Sequence, residues 1–233
     1  PYYKARKNAE SAHIVIANHS LLIADAQMEN RVLPEYYNLV IDEAHQLEDA
    51  ITNGLSIRID QHMLLNRLNE LGSINSGILG EFLASAHQHM PDKASMKLEA
   101  FIQNISEALN LMKANIKNYF QTLHDFVRNL DKDIRYQLRL LNSHRDSGRF
   151  VNVQMAWKQL GEYFDVVSGA INQLSEGLAR YKEYEMPNFN DYESGIRAHQ
   201  QFLKETYEQI DQFTQNPDAN SVYSISPGET PER

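Results

Sequence analysis

Between Asp60 and Thr214 the sequence carries almost nothing but helix signals, and that stretch sets the fold class of this 233-residue chain. Asp60 suits a helix N-cap, since its side chain can accept from the first free backbone amides. Gly72 suits a helix end, where glycine enters the left-handed conformation that stops the spiral. Six helices are predicted, over residues 61–71, 76–89, 93–130, 132–143, 152–184 and 192–214, with Gly148, Pro187 and Asn188 marking connections. Trp157, Leu160, Phe164 and Val167 share one helical face and are expected in the core. No fixed-period repeat is visible, which argues against a helical solenoid.

The first 57 residues have a different texture. His13-Ile14-Val15-Ile16-Ala17 and Leu39-Val40-Ile41 are short continuous apolar runs, typical of strands covered on both faces. Asn18 or Ser20 is placed to cap a helix after the first run. Leu55-Ser56-Ile57-Arg58-Ile59 alternates apolar and polar, and Ser221-Val222-Tyr223-Ser224-Ile225 again reads as a strand. A helical block bracketed by two strands has the look of an insertion, whose ends return to nearly one place. Segments 55–59 and 221–225 are therefore expected side by side. The predicted fold is α+β and predominantly helical: a small α/β portion over 1–57, a helical insertion over 58–215, and a return strand with tail over 216–233.

The net charge of −9 argues against a generally adhesive nucleic-acid binder, because Lys and Arg contacts to phosphate carry most non-specific affinity. From Lys113 to Arg149, however, eight Lys/Arg face four Asp/Glu. Within that window Arg128, Lys132, Arg135 and Arg139 are spaced to lie within ~60° on one helix, opposite Leu123, Val127, Leu130, Ile134, Leu138 and Leu141. That row is either a solvated face or a contact for nucleic acid, with Asp131 and Asp133 weakening its field. The chain has no cysteine, hence no disulfide or thiolate metal site. No run approaches the roughly 20 apolar residues of a membrane helix, and no secretory leader precedes the first strand. The expectation is a soluble, cytoplasmic protein.

Chemistry concentrates in Asn38-Leu39-Val40-Ile41-Asp42-Glu43-Ala44-His45, a predicted strand ending in adjacent carboxylates and a histidine. Phosphoryl transfer needs a metal at the phosphates, a group that orients water, and a phosphate cradle. Asp42 at a strand end can bind Mg²⁺, Glu43 can polarise the attacking water, and His45 can report the nucleotide state. The alternative is a helix N-terminus, where acidic residues favour the positive end of the dipole. Other candidates are weaker. His87 and His89 lack a third ligand nearby and point apart on a helix. Tyr181, Tyr184 and Tyr192 can stack on bases, or close the edge of a core.

Val40-Ile41-Asp42-Glu43-Ala44-His45-Gln46-Leu47-Glu48-Asp49 resembles the Walker B box of superfamily 2 helicases of the XPD/DinG type. Upstream, Pro1-Tyr2-Tyr3-Lys4-Ala5-Arg6 and Asn18-His19-Ser20-Leu21-Leu22 resemble two further DinG-like signatures in the same order. The resemblance covers about the first 50 residues, and it implies a 5′→3′ DNA helicase that hydrolyses ATP with Mg²⁺. It makes Asp42 the metal residue, Glu43 the catalytic base and His45 the coupling residue, with Asn18 and His19 near the path of single-stranded DNA. In position and helical character, residues 60–214 are similar to the arch inserted in the family's first motor domain. Two departures matter: no Gly-x-x-x-x-Gly-Lys-[Ser/Thr] phosphate loop and no second motor domain are found here, so the chain alone is expected to be inactive. Iron–sulfur ligands of such proteins would precede Pro1, so no cluster is expected in this span. The competing expectations are a helical protein-docking or regulatory module, and a DinG-like nuclease without motor activity.

Overall fold

A computed structural model describes residues 2–28, 32–130 and 137–226. It divides into two compact units, Pro1–Arg58 and Ile59–Arg233.

The second unit is built on three long helices whose buried positions step alternately by four and three residues. On α6 (Asp92–Leu130) these are Leu98, Ile102, Ile105, Leu109, Met112, Ile116, Tyr119, Leu123 and Phe126. On α8 (Val151–Gly177) Val153, Trp157, Leu160, Phe164, Val167, Ile171 and Leu174 repeat the pattern. On α9 (Phe189–Thr214) the series runs through Ile196, His199, Leu203, Thr206 and Ile210. Such spacing keeps one seam against a partner helix over many turns, and α6 packs along α8 as α8 does along α9. Trp157 lies in this core as expected, 2% exposed, and its indole Nε1 donates to Asp211 Oδ1 at 2.9 Å.

Shorter helices close one end. Asp60 caps α4 (Gln61–Leu71) by accepting from the Met63 amide at 2.8 Å, as its sequence position predicts. Gly72 ends α4 at φ +90°, and Gly77 opens α5 (Gly77–His89) at φ +66°. A Cβ on Gly72 would sit 1.8 Å from the Ser76 carbonyl oxygen, so only glycine fits this turn. Phe82 of α5 meets Tyr181 and Tyr192 edge-on or tilted. Those tyrosines, with Tyr184, pack against the core. Tyr181 and Tyr184 belong to the 3₁₀ segment Leu178–Tyr184 that continues α8.

Several expectations need correction. Of the helix predicted over 132–143, residues 132–136 lie outside the described residues, and 137–141 are not helical: Leu138–Arg139 is a strand, β1, followed by a four-residue helix α7 (Asn142–Arg145). The physical reason is a two-residue period, with Leu138 half-buried, Arg139 exposed, Leu140 buried and Leu141 exposed. β1 pairs antiparallel with β2 (Ser224–Ile225), Leu138 opposite Ile225 and Arg139 opposite Ser224. The expected pairing of 55–59 with 221–225 is thereby replaced, and residues 56–59 form no strand. The Leu140 amide extends the new ladder by donating to the Tyr223 carbonyl at 2.8 Å. Nearby, Arg145 lies 5.5, 5.6 and 5.1 Å from the ring centres of Phe150, Phe213 and Tyr223, and it donates to the Phe213 carbonyl.

The first unit holds α1 (Tyr2–Glu10), α2 (His19–Gln27), a 3₁₀ turn (Ala44–Gln46) and α3 (Leu47–Leu55). Asn18 caps α2, accepting from the Leu21 amide at 2.8 Å, one of the two caps expected. The runs 13–17 and 39–41, expected as buried strands, are not strands, and their apolar side chains face outward: Ile16 is 94% and Val40 92% exposed. A strand of this kind exists only when neighbours take up its amides and carbonyls and cover both faces, and the described residues supply none.

Candidate active site

The acidic pair sits where the 38–41 segment turns into the 3₁₀ turn before α3. Glu43 is the hinge of that turn, with φ +48° and ψ +43°, a left-handed conformation that a side chain bearing Cβ adopts at some cost. The peptide joining Asp42 to Glu43 is held on both edges. Asp42 Oδ1 accepts from the Glu43 amide at 2.9 Å, and the Asp42 carbonyl faces His19 Nε2 at 3.1 Å. A carbonyl only accepts, so His19 carries its proton on Nε2 in this contact.

Asp42, Glu43 and His45 are all exposed. His45 Nδ1 lies 3.3 Å from Glu43 Oε2, with the two side chains 71% and 62% exposed. A contact so open to water holds Glu43 only weakly. Asp42 Oδ2 has no hydrogen-bond partner among the described residues, leaving one oxygen for a cation. One carboxylate oxygen suits Mg²⁺, which keeps most of its shell for substrate phosphates and water.

The expected nucleic-acid residues fall in different places. Asn18 spends its side-chain oxygen on the α2 cap and His19 one nitrogen on Asp42. Arg128 is exposed in the last turn of α6, and Arg139 is exposed on β1 rather than on a continuing helix. Lys132 and Arg135 lie outside the described residues; with Arg128 on α6 and Arg139 on β1, those two cations do not share one helical face. His87 lies 3.4 Å from Glu99, and His89 Nδ1 meets the Ser85 carbonyl. A residue that sequence reasoning passed over is Asp25. It is fully buried on α2, and its Oδ1 accepts from the Val32 and Leu33 amides, both at 2.8 Å. A lone carboxylate two turns into a hydrophobic helix was the available signal.

Within the second unit, a groove between α6 and α8 is lined by Asn118, Thr122, Asp125, Arg149, Lys158 and Glu162 among others. Its two bases and two acids balance, so it is neither a positive channel nor a purely apolar groove. No described helix is long and apolar enough to cross a membrane.

Residues 1–64 match the DEAD_2 family model. Among relatives, the chain is 28% identical over 127 residues to the 3'-5' exonuclease DinG of Bacillus subtilis, covering 54% of this chain and 13% of that protein. It is 50% identical over 50 residues to the ATP-dependent helicase DinG of Mycobacterium tuberculosis, covering 22% of this chain and 8% of the relative. The ATP-dependent DNA helicase DinG of Photobacterium profundum is 46% identical over 50 residues, 20% of this chain and 7% of its own length. The matched part is thus a small share of each relative, and the B. subtilis match, longer than the DEAD_2 span, necessarily runs into the helical unit. No solved structure matches the chain. Over residues 1–64, then, the chain is similar to the DEAD_2 family and to segments of proteins named as DinG helicases and a DinG exonuclease.

Proposed function

We propose that the chain supplies the Walker B carboxylates, and a helical arch, to an ATP-dependent DNA helicase that works along single-stranded DNA. The observation that carries this reading is the turn at Asp42 and Glu43: two neighbouring exposed carboxylates set apart in direction by a left-handed residue. Bound Mg²⁺–ATP would supply the electrophilic phosphorus and the charge that holds it. Asp42 would hold the metal through its uncommitted oxygen. Glu43 would accept a proton from the attacking water, and its loose contact with His45 lets it swing toward that water. His45, beside Glu43, would sense which way the carboxylate points and pass that on. The phosphate loop and second motor domain that this chemistry needs would come from elsewhere in the working protein. Arg128 and Arg139 are proposed as separate contacts to DNA, and Asn18 and His19 would reach it with the nitrogens their internal bonds leave over.

In the parent helicase, Glu43→Gln is expected to lower DNA-stimulated ATP hydrolysis by about a hundredfold or more while nucleotide binding persists. Undiminished hydrolysis would remove the reading. The longer match to a relative named as an exonuclease favours a second one, in which the parent degrades DNA through a domain outside this chain and the motor part only scaffolds it. Under that reading Glu43→Gln leaves DNA degradation intact and ATP hydrolysis is absent from the start.

A further inference from the structure

We infer that α2 is the fixture that aims the acidic turn, with His19 and Asp25 as its two positioning residues. The inference rests on the Walker B reading of Asp42 and Glu43. His19 opens α2 and meets the Asp42 carbonyl across 23 residues of sequence, at 3.1 Å. Asp25, six residues further along the same helix, takes the Val32 and Leu33 amides on one oxygen. The segment from residue 33 to residue 42 is therefore fastened to one helix at both ends, at points ~9 Å apart along its axis.

The far side of the turn returns to the same helix. α3 packs on α2, with Gly54 so close to Ile23 that a Cβ there would lie 3.0 Å from Ile23 Cγ2. Gln27 Nε2 also reaches the Gly54 carbonyl at 3.4 Å. Among the described residues, both flanks of the turn thus meet α2.

The decisive detail is one peptide plane. Its carbonyl, from Asp42, is taken by His19, and its amide, from Glu43, by the Asp42 side chain. Those two bonds set the orientation that Glu43 enters, and they oppose its relaxation out of the left-handed region. Without His19 the plane keeps only the bond from its amide to Asp42 Oδ1, and the Glu43 carboxylate swings away from the line set by Asp42. Asp42 keeps its own place in the extended segment, so metal and nucleotide binding survive. His19 touches neither ATP nor metal in this scheme; on the hydrolysis centre it acts through the peptide.

The test uses the parent helicase. His19→Ala is expected to lower kcat for ATP hydrolysis by roughly tenfold to a hundredfold, the scale of an ångström-level misplacement, with KM for ATP little changed. His19→Gln places an amide nitrogen near the position of the imidazole Nε2 and should restore most of kcat, whereas the shorter His19→Asn should not. Asp25→Asn keeps an acceptor for Val32 and Leu33 and should retain more activity than Asp25→Ala. Unchanged kcat in His19→Ala, or loss confined to affinity for single-stranded DNA at saturable kcat, would overturn the inference. If His19→Ala fails to fold by circular dichroism, the Gln and Asn variants decide: equal kcat in both is fatal. Failure of the Walker B reading shows separately, as a Glu43→Gln enzyme that still hydrolyses ATP.

Discussion

Polar side chains at core positions are where this chain departs most from what its pattern suggests. Tyr119 and Thr214 are each 1% exposed and hydrogen-bond to each other at 2.7 Å across 95 residues of sequence. Burial pushes the Tyr119 phenol well above its ordinary value, partly opposed by the Thr214 hydrogen bond and the Arg145 charge. A phenol whose folded-state value is raised stabilises in full below the unfolded value of about 10, and that contribution is lost as pH climbs past it. Tyr119→Phe should leave Thr214 unpaired and cost about 1–3 kcal/mol near neutrality. It should also flatten the alkaline fall in stability, which urea unfolding of both proteins at neutral and alkaline pH would measure. His199 is comparable: 3% exposed, with its ring nitrogens 2.9 Å from the Gly195 carbonyl and 3.0 Å from that of Arg67, so it ties α9 to α4. Neither pairing is written in the sequence near either residue, because hydrogen bonds over such separations depend on packing. The acidic pair was legible as a motif. The His19 bond behind it was not, since its acceptor is backbone and carries no residue signature.

At the level of elements, helices over 61–71, 76–89, 93–130, 152–184 and 192–214 were readable because cap residues and periodicity agree within each segment. The structure places helices within a few residues of all five. Of the short strands, 221–225 was readable and contains β2, whereas β1 was not, because a strand's partners lie elsewhere in sequence. Leu138-Arg139-Leu140 sits inside a window whose wider apolar spacing fits a helix, and only its pairing with Ser224 and Ile225 selects the shorter period. Runs 13–17 and 39–41 carry strand composition without the neighbours that would realise it. The α4–α5 turn gives a direct check on backbone reasoning. Gly72→Ala should drive a Cβ into the Ser76 carbonyl and cost about 2 kcal/mol or more, because relief requires the turn itself to move. Thermal unfolding of the variant should shift down by several degrees; an unshifted midpoint would mean the turn adopts another conformation.

Across the whole molecule, the stabilising interior is unevenly shared. Among the described residues, Ile23 is the one buried apolar side chain of Pro1–Arg58, while the continuous core runs from Leu64 to Ile210 in the second unit. A piece spanning residues 59–226 should therefore unfold cooperatively with a helical circular-dichroism spectrum, since hydrophobic burial is the main favourable term. Residues 1–58 alone should show no cooperative transition; a sharp one would mean that the outward-facing runs find an arrangement of their own.

The clasp between Leu138–Arg139 and Ser224–Ile225 has an evolutionary corollary. A domain that ties its own trailing segment to its middle leaves descendants free to lengthen, trim or replace its rods by whole turns. The alterations stay local to that helical unit.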